Sequence, residues 1–319
     1  MRHIARIMPL LALAAATAQA HAQTAVDTYP RQPISLIVNF PPGGATDLTA
    51  RALGAAMSES LKQPVVVENR AGAGGAIGIA AISSAKPDGY HGGFVSVAGL
   101  TTLPQMRRVP YSLETVSYIC RAYDAPVFML VTPGSKFTTA KALVDYARKN
   151  PGRINYATVG PGSLPHLAAL DFAAAAGVDI NHVPYQGEAP AITDLLGGHV
   201  DLYFGTNAVA TTHNLRRLGV AAAARQNEAP DTPTLTELGY PVLRSISGGM
   251  IAPAELDERV MRTLGAACAK AVHAGTFLKA LSNLKLNPAY LDGPAFKQAL
   301  LDEAGSNRAL LQREGLLAK

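Results

Sequence analysis

Ile34-Ser35-Leu36-Ile37-Val38-Asn39-Phe40 runs into Pro41-Pro42-Gly43-Gly44-Ala45-Thr46-Asp47, and an amphipathic segment opens at Leu48. A short apolar run closed by Pro and Gly reads as a buried strand and its exit loop. Leu48, Ala52, Leu53, Ala56 and Met57 then fall on one face of a helix. The arrangement recurs at Ile154-Asn155-Tyr156-Ala157-Thr158-Val159, followed by Gly160-Pro161-Gly162-Ser163 and an apolar run from Leu164 to Ala176. A helix N-terminus leaves its first amides unpaired and carries partial positive charge, so each loop is a cradle for an anion. Two such cradles, over a hundred residues apart, predict two lobes that grip one acidic ligand.

Outward from these loops, strand and helix signals alternate. Val65 to Glu68, Phe94 to Val97, Val127 to Val131, Ile180 to Tyr185 and Val200 to Phe204 read as strands. Ala76 to Ala85, Thr138 to Lys149 and Ala189 to Leu196 read as helices, and Leu215 to Leu218 and Val220 to Ala224 continue the series. The alternation predicts an α/β architecture of parallel sheets covered by helices. From Asp257 the chain turns mostly helical, with one extended piece near Ala289 to Leu291, and no linker sets it apart as a domain. The expected organisation is lobe one over 23–125, lobe two over 126–245, and a return segment over 246–319 that packs on lobe one. Two crossings between lobes make a hinge, with the ligand cleft between them.

The N-terminus decides the compartment. Arg2, His3 and Arg6 precede the apolar run Ile7 to Ala16, which is too short to span a bilayer, and A-x-A sites end at Ala20 and Ala22. Residues 1–22 are expected to be a cleaved signal peptide, with export to the periplasm. Removing 22 of the 319 residues leaves 297, and loss of Arg2 and Arg6 takes the net charge from +5 to +3. That charge is small and dispersed, which excludes a nucleic-acid footprint. Cys120 and Cys268 both fall on apolar, core-like segments, in strand and helix respectively, and the sequence leaves open whether they pair. Neither has thiolate or His partners at ligand spacing, so no metal and no cofactor is expected.

In the first loop, Pro41 and Pro42 fix the approach and Gly43 and Gly44 let the backbone come close to a ligand. Thr46 or Asp47 is placed to cap the following helix, and Asp47 is better suited to that than to touching an anion. In the second, Ser163 is the expected N-cap, with Pro165 in the first turn. His166 has two roles open: donating to a bound carboxylate, or satisfying a neighbouring backbone group. Ser163 and His166 also raise a secreted hydrolase, but their spacing does not aim the imidazole at the hydroxyl, and no G-x-S-x-G elbow occurs. A third cluster, Gly72-Ala73-Gly74-Gly75-Ala76-Ile77-Gly78, has Ile where a dinucleotide fingerprint needs Gly, and reads as close helix-to-strand packing.

Several motifs together resemble the Bug family, the periplasmic substrate-binding proteins of tripartite tricarboxylate transporters. They are Tyr29-Pro30 with Pro33-Ile34, Phe40-Pro41-Pro42-Gly43-Gly44-x-Thr46-Asp47, Val67-Glu68-Asn69-Arg70 and Pro87-Asp88-Gly89-Tyr90. Gly160-x-Gly162-Ser163-x-x-His166, His182-Val183-Pro184-Tyr185 and Asp194-Leu195-Leu196-Gly197-Gly198 complete the set. The resemblance implies a type II periplasmic-binding-protein fold without catalysis. It closes on a small organic acid and hands it to membrane permease subunits, or reports it to a receptor; a monomer is expected. It further implies a pincer on one carboxyl group, formed by Phe40, Pro41, Gly44, Thr46 and Asp47 with Thr158, Gly160, Gly162, Ser163 and His166. Gly205-Thr206-Asn207 departs from the polar or acidic residue usual after Val200 to Phe204, so Thr206 and Asn207 are expected to face the far end of a different ligand.

Overall fold

The computed structural model describes residues 29–185 and 187–318, so the leader and its A-x-A sites lie outside the described residues. The chain begins with strands β1 (Ile34–Val38), β2 (Val65–Asn69), β3 (His91–Ser96) and β4 (Val116–Pro126). It then builds β5 (Phe128–Val131), β6 (Asn155–Thr158), β7 (Asn181–Pro184), β8 (Leu202–Gly205) and β9 (Arg216–Val220), and returns with β10 (Ser245–Pro253) and β11 (Asn287–Asp292). Two sheets result, a six-stranded one in the order β11-β4-β10-β3-β1-β2 and a five-stranded one in the order β7-β6-β8-β5-β9. Each carries its own apolar core: Leu36, Leu53, Met57 and Phe277 sit in one, and Leu143, Phe172, Leu202 and Phe204 in the other.

The sheets are mixed, which corrects the parallel expectation. β1 pairs in parallel with β2 and β3, and β6 with β7 and β8. By contrast β10 runs antiparallel to β3 and β4, and β5 antiparallel to β8 and β9. The reason is the double crossing: a chain that leaves one sheet along β4 and re-enters along β10 must come back in the opposite direction. At the crossing the two strands lie side by side, with Val127 N donating to Arg244 O at 3.0 Å and Arg244 N to Ala221 O at 2.9 Å.

Helix α1 (Ala45–Leu61) buries Ala50, Leu53, Ala56 and Met57 against the first sheet. Leu48, expected on that face, is 41% exposed, because Thr46 and Asp47 take the inward positions of the first turn and Thr49 and Ala50 those of the next. α2 (Ala76–Ser83) follows the third glycine cluster. A Cβ on Gly78 would stand 2.7 Å from Asn39 Cα and 2.8 Å from Arg70 O, so this cluster brings α2 onto the β1 and β2 ends. Short helices α3 (Ala98–Thr101) and α4 (Leu103–Met106) project from β3 toward the second lobe. The second lobe holds α5 (Ala140–Lys149), α6 (Leu164–Ala176), α7 (Glu188–Leu196) and α8 (Asn207–Thr212).

The return segment forms α9 (Glu258–Ala271), α10 (Gly275–Asn283) and α11 (Gly293–Arg313). Cys120 of β4 and Cys268 of α9 are joined by a disulfide, with Cα atoms 6.5 Å apart. The sequence leaves this pairing open. Each segment by itself reads as ordinary core, and only the docking of α9 on β4, across a sequence separation of 148, brings the sulfurs together. The end of α11 also touches the second lobe, where Leu310 and Leu311 pack on Leu167. Beside them the buried Arg244 donates from Nε to Asp171 Oδ2 at 2.6 Å and from Nη1 to Asn307 Oδ1. Asn307 Nδ2 in turn donates to Thr102 Oγ1 at 3.1 Å, so one polar chain runs from α6 through the hinge to α11 and α3.

Candidate functional site

A cleft of about 530 Å³ opens between the lobes. Its walls come from Phe40 at the end of β1, Ser96 to Gly99 after β3, Val159 to Pro165 after β6, and Ser245 to Ser247 at the hinge; Glu188 and Glu303 complete it. Apolar contact is offered by Val97, Leu103, Leu164 and Ile246, and hydroxyls by Ser96 and Ser247. An apolar pocket with a few convergent polar groups is the usual form of a small-molecule site.

The first loop is organised from behind. Gly44, and not Thr46 or Asp47, occupies the N-cap of α1, and no side chain caps the helix there. Asp47, the third helical residue, reaches back to accept the Gly43 amide at 2.9 Å. It also accepts from Arg51 Nε at 3.0 Å and from Asn69 Nδ2 at 2.8 Å. Burial alone would raise the Asp47 pKa, but the hydrogen bonds from Arg51, Gly43 and Asn69 outweigh it and hold the carboxyl below its ordinary range. Asp47 therefore spends its charge inside the loop, and Thr46 beside it is buried. The amides of Gly44, Ala45 and Thr46 have no partner among the described residues and form the open start of α1.

The second loop is built around His166. Ser163 holds the N-cap of α6, but its hydroxyl donates to Gly160 O at 2.6 Å instead of capping. Gly160 N donates to Thr158 Oγ1 at 3.1 Å, and that oxygen also hydrogen-bonds His182 Nε2 at 2.7 Å. Gly162 N donates to His166 Nδ1 at 3.0 Å, which puts the imidazole proton on Nε2. The His166 ring stacks on His182 at 4.2 Å between centroids, and His182 stacks on Tyr156 at 5.1 Å. Of the two roles open for His166, this is the backbone one. The amides of Leu164 and His166 remain unpaired at the start of α6, since Pro165 has none.

Burial, and secondarily His182, pushes the His166 pKa down to about 4, and burial lowers that of His182 as well. Between pH 6.5 and 4 the unfolded chain therefore binds more protons than the folded one. Stability from these rings is full above the unfolded pKa and is lost as pH falls through this window. Thermal melts of the wild type should be flat above about pH 6.5 and drop toward pH 4. In His166→Asn, whose Oδ1 accepts the Gly162 amide without titrating, the drop should shrink. An identical drop in both proteins would show that His166 is already protonated or exposed.

The cleft wall thus brings together Phe40, Gly162 and Ser163 among the residues expected from sequence. Pro41 and Gly44 are exposed beside Phe40, while Thr158 and His166 support the second loop from beneath. Thr206 and Asn207 are not among the residues lining this cleft. The Thr206 hydroxyl caps α8 by accepting from Val209 N, and Asn207 Oδ1 accepts from Arg217 Nε at 2.9 Å. Sequence reasoning missed Ser96, Thr102, Glu188, Ser245, Ser247 and Glu303. Only the strand-end position of Ser96 gave a local signal, since binding residues gather after the carboxyl ends of strands.

Two lobes joined by a double crossing, each presenting a helix N-terminus beside the intervening cleft, define a type II periplasmic binding fold. Residues 49–316 match the family described as "Tripartite tricarboxylate transporter family receptor", and the chain belongs to that family. It is similar to Protein BugT of Bordetella pertussis, with 36% identity over 270 residues, 81% of this chain and 82% of that protein. Among solved structures it is similar to a TctC solute binding protein from Polaromonas, with a TM-score of 0.80, 30% identity and coverage of 89% of this chain and 99% of that one. R. palustris Rpa4515, solved with adipate, is similar with a TM-score of 0.77 and 25% identity, covering 91% of this chain and 99% of that one.

Proposed function

We propose that this chain is an exported, periplasmic receptor that captures a small organic carboxylate between its lobes and presents it to membrane permease subunits. The observation that carries the reading is a pair of loops at one cleft, the first entering its wall at Phe40 and the second at Val159 and Pro161 to Pro165, each leading into a helix whose first amides, Gly44 to Thr46 and Leu164 with His166, have no partner among the described residues. The ligand's carboxylate would be held by amides, hydroxyls and water from the two loops, without an ion pair inside either. Among the residues from Phe40 to Leu48 and from Thr158 to Pro165 there is no Lys or Arg to offer one. The hydrolase reading loses its basis in the same geometry: the Ser163 hydroxyl is turned to Gly160, and His166 Nδ1 is occupied by Gly162. A nucleophile needs its base within hydrogen-bond reach.

The test is a thermal-shift screen of mature protein against mono-, di- and tricarboxylates and aromatic acids. A ligand at about 100 times its dissociation constant adds roughly 2.7 kcal/mol, and small-angle scattering should show a smaller radius of gyration with that ligand. No shift with any carboxylate would remove the reading. Ester turnover abolished in Ser163→Ala would replace it with the enzyme.

A further inference from the structure

The cleft is charged in one sense only. Glu188 and Glu303 stand in its wall, and none of its lining residues is Lys or Arg. Glu303, on α11, accepts from Thr101 Oγ1 at 2.7 Å, and Glu188, the first residue of α7, accepts from the Tyr203 hydroxyl at 3.1 Å. The cation behind the hinge wall, Arg244, is engaged by Asp171 and Asn307. Asp124 adds a further carboxylate there, accepting from the Ser245 hydroxyl at 2.5 Å. Arg244 is ion-paired with Asp171 and lies near enough to Glu303 to favour its charged form, as Asp124 lies near enough to oppose it, while Arg244 Nη2 is buried with no hydrogen-bond partner among the described residues. A second carboxylate on the ligand would be forced against like charge in a closing, water-poor space, where such interactions strengthen.

We propose that the ligand is a small monocarboxylate with an ammonium group at its far end, received by Glu188 and Glu303. This rests on the carboxylate reading above and narrows it. The loops hold the carboxylate, Phe40, Val97, Leu103 and Ile246 cover the carbon skeleton, and the two glutamates take the amine. Burial pushes the Glu303 carboxyl above its ordinary pKa, a cost that an adjacent ammonium removes.

Matched sets of probes isolate the far end: hexanoate, 6-aminohexanoate and adipate, and the shorter butyrate, 4-aminobutyrate and succinate. Calorimetry on the mature wild type should show an amino acid binding at least tenfold tighter than the dicarboxylate of its set. Glu303→Gln and Glu188→Gln should each narrow that preference by about tenfold or more. Equal or tighter binding of adipate or succinate overturns the proposal and leaves the carboxylate receptor standing. An unchanged preference in both variants also overturns it. Silence with every probe, together with an empty carboxylate screen, would remove both readings.

Discussion

Replacing Cys120 and Cys268 together by Ala should lower the stability of the oxidised protein by about 3 to 5 kcal/mol. The bond closes a loop with a sequence separation of 148 residues. In the chain-entropy account, cross-linking a loop of that length restricts the unfolded ensemble by up to roughly 5 kcal/mol. Both residues are fully buried in the first lobe's core, so the sulfur packing is lost as well. For a protein of this size each kcal/mol moves the melting temperature by about 2 to 4 °C. Calorimetry should therefore find a decrease on the order of 10 °C, and the same decrease when wild type is melted with reductant. Carboxylate affinity should persist at temperatures where the variant is folded, because neither cysteine lines the cleft. A melting temperature within 2 °C of wild type would mean that the disulfide does not form in the mature protein.

Gly162→Asp should reduce carboxylate affinity by at least a hundredfold while leaving most of the fold in place. Three effects converge at this position. Gly162 has φ +75°, which an L side chain rarely adopts. Its amide anchors the second loop to His166, so a backbone shift there loosens the start of α6. A Cβ would also stand 2.1 Å from the Met106 sulfur on α4, so a side chain must displace that thioether. Asp adds a charge that repels the ligand. The thioether is the movable end of a flexible side chain, so Gly162→Ala should lose less, and part of that loss should return in Gly162→Ala with Met106→Ala. Isothermal titration of the three variants separates crowding from charge. Equal, wild-type affinities throughout would place the site elsewhere.

The two strand-loop-helix units were legible because their signals are local. An apolar run, a Pro-Gly loop and a 3.6-residue period are written in consecutive residues, and both units stand in the structure at β1 with α1 and β6 with α6. The family resemblance rested on those same motifs, and the family and fold stand. What escaped depends on tertiary placement. Glu303 reaches the cleft from a helix more than two hundred residues after Phe40, and Ser245 to Ser247 reach it because the hinge strand passes there. The roles of Asp47 and His166 were half-legible. Residue type showed that each binds backbone or ligand, but only the positions of Gly43, Arg51, Asn69 and Gly162 show the backbone role. Thr206 and Asn207 were placed by a departure from a family pattern, and local capping and Arg217 account for both.

The central claim is that amides at two helix starts, and not a basic side chain, hold the ligand's carboxylate. The most direct measurement is a crystal structure of the mature protein with a bound carboxylate found by the thermal-shift screen. The account predicts carboxylate oxygens between the two loops, about 2.7 to 3.2 Å from the amides of Leu164, His166 or the first turn of α1, or one ordered water away, with no Lys or Arg in contact. A carboxylate ion-paired to a guanidinium or ammonium, or seated outside the cleft walled by Phe40, Gly162 and Ser163, would contradict it.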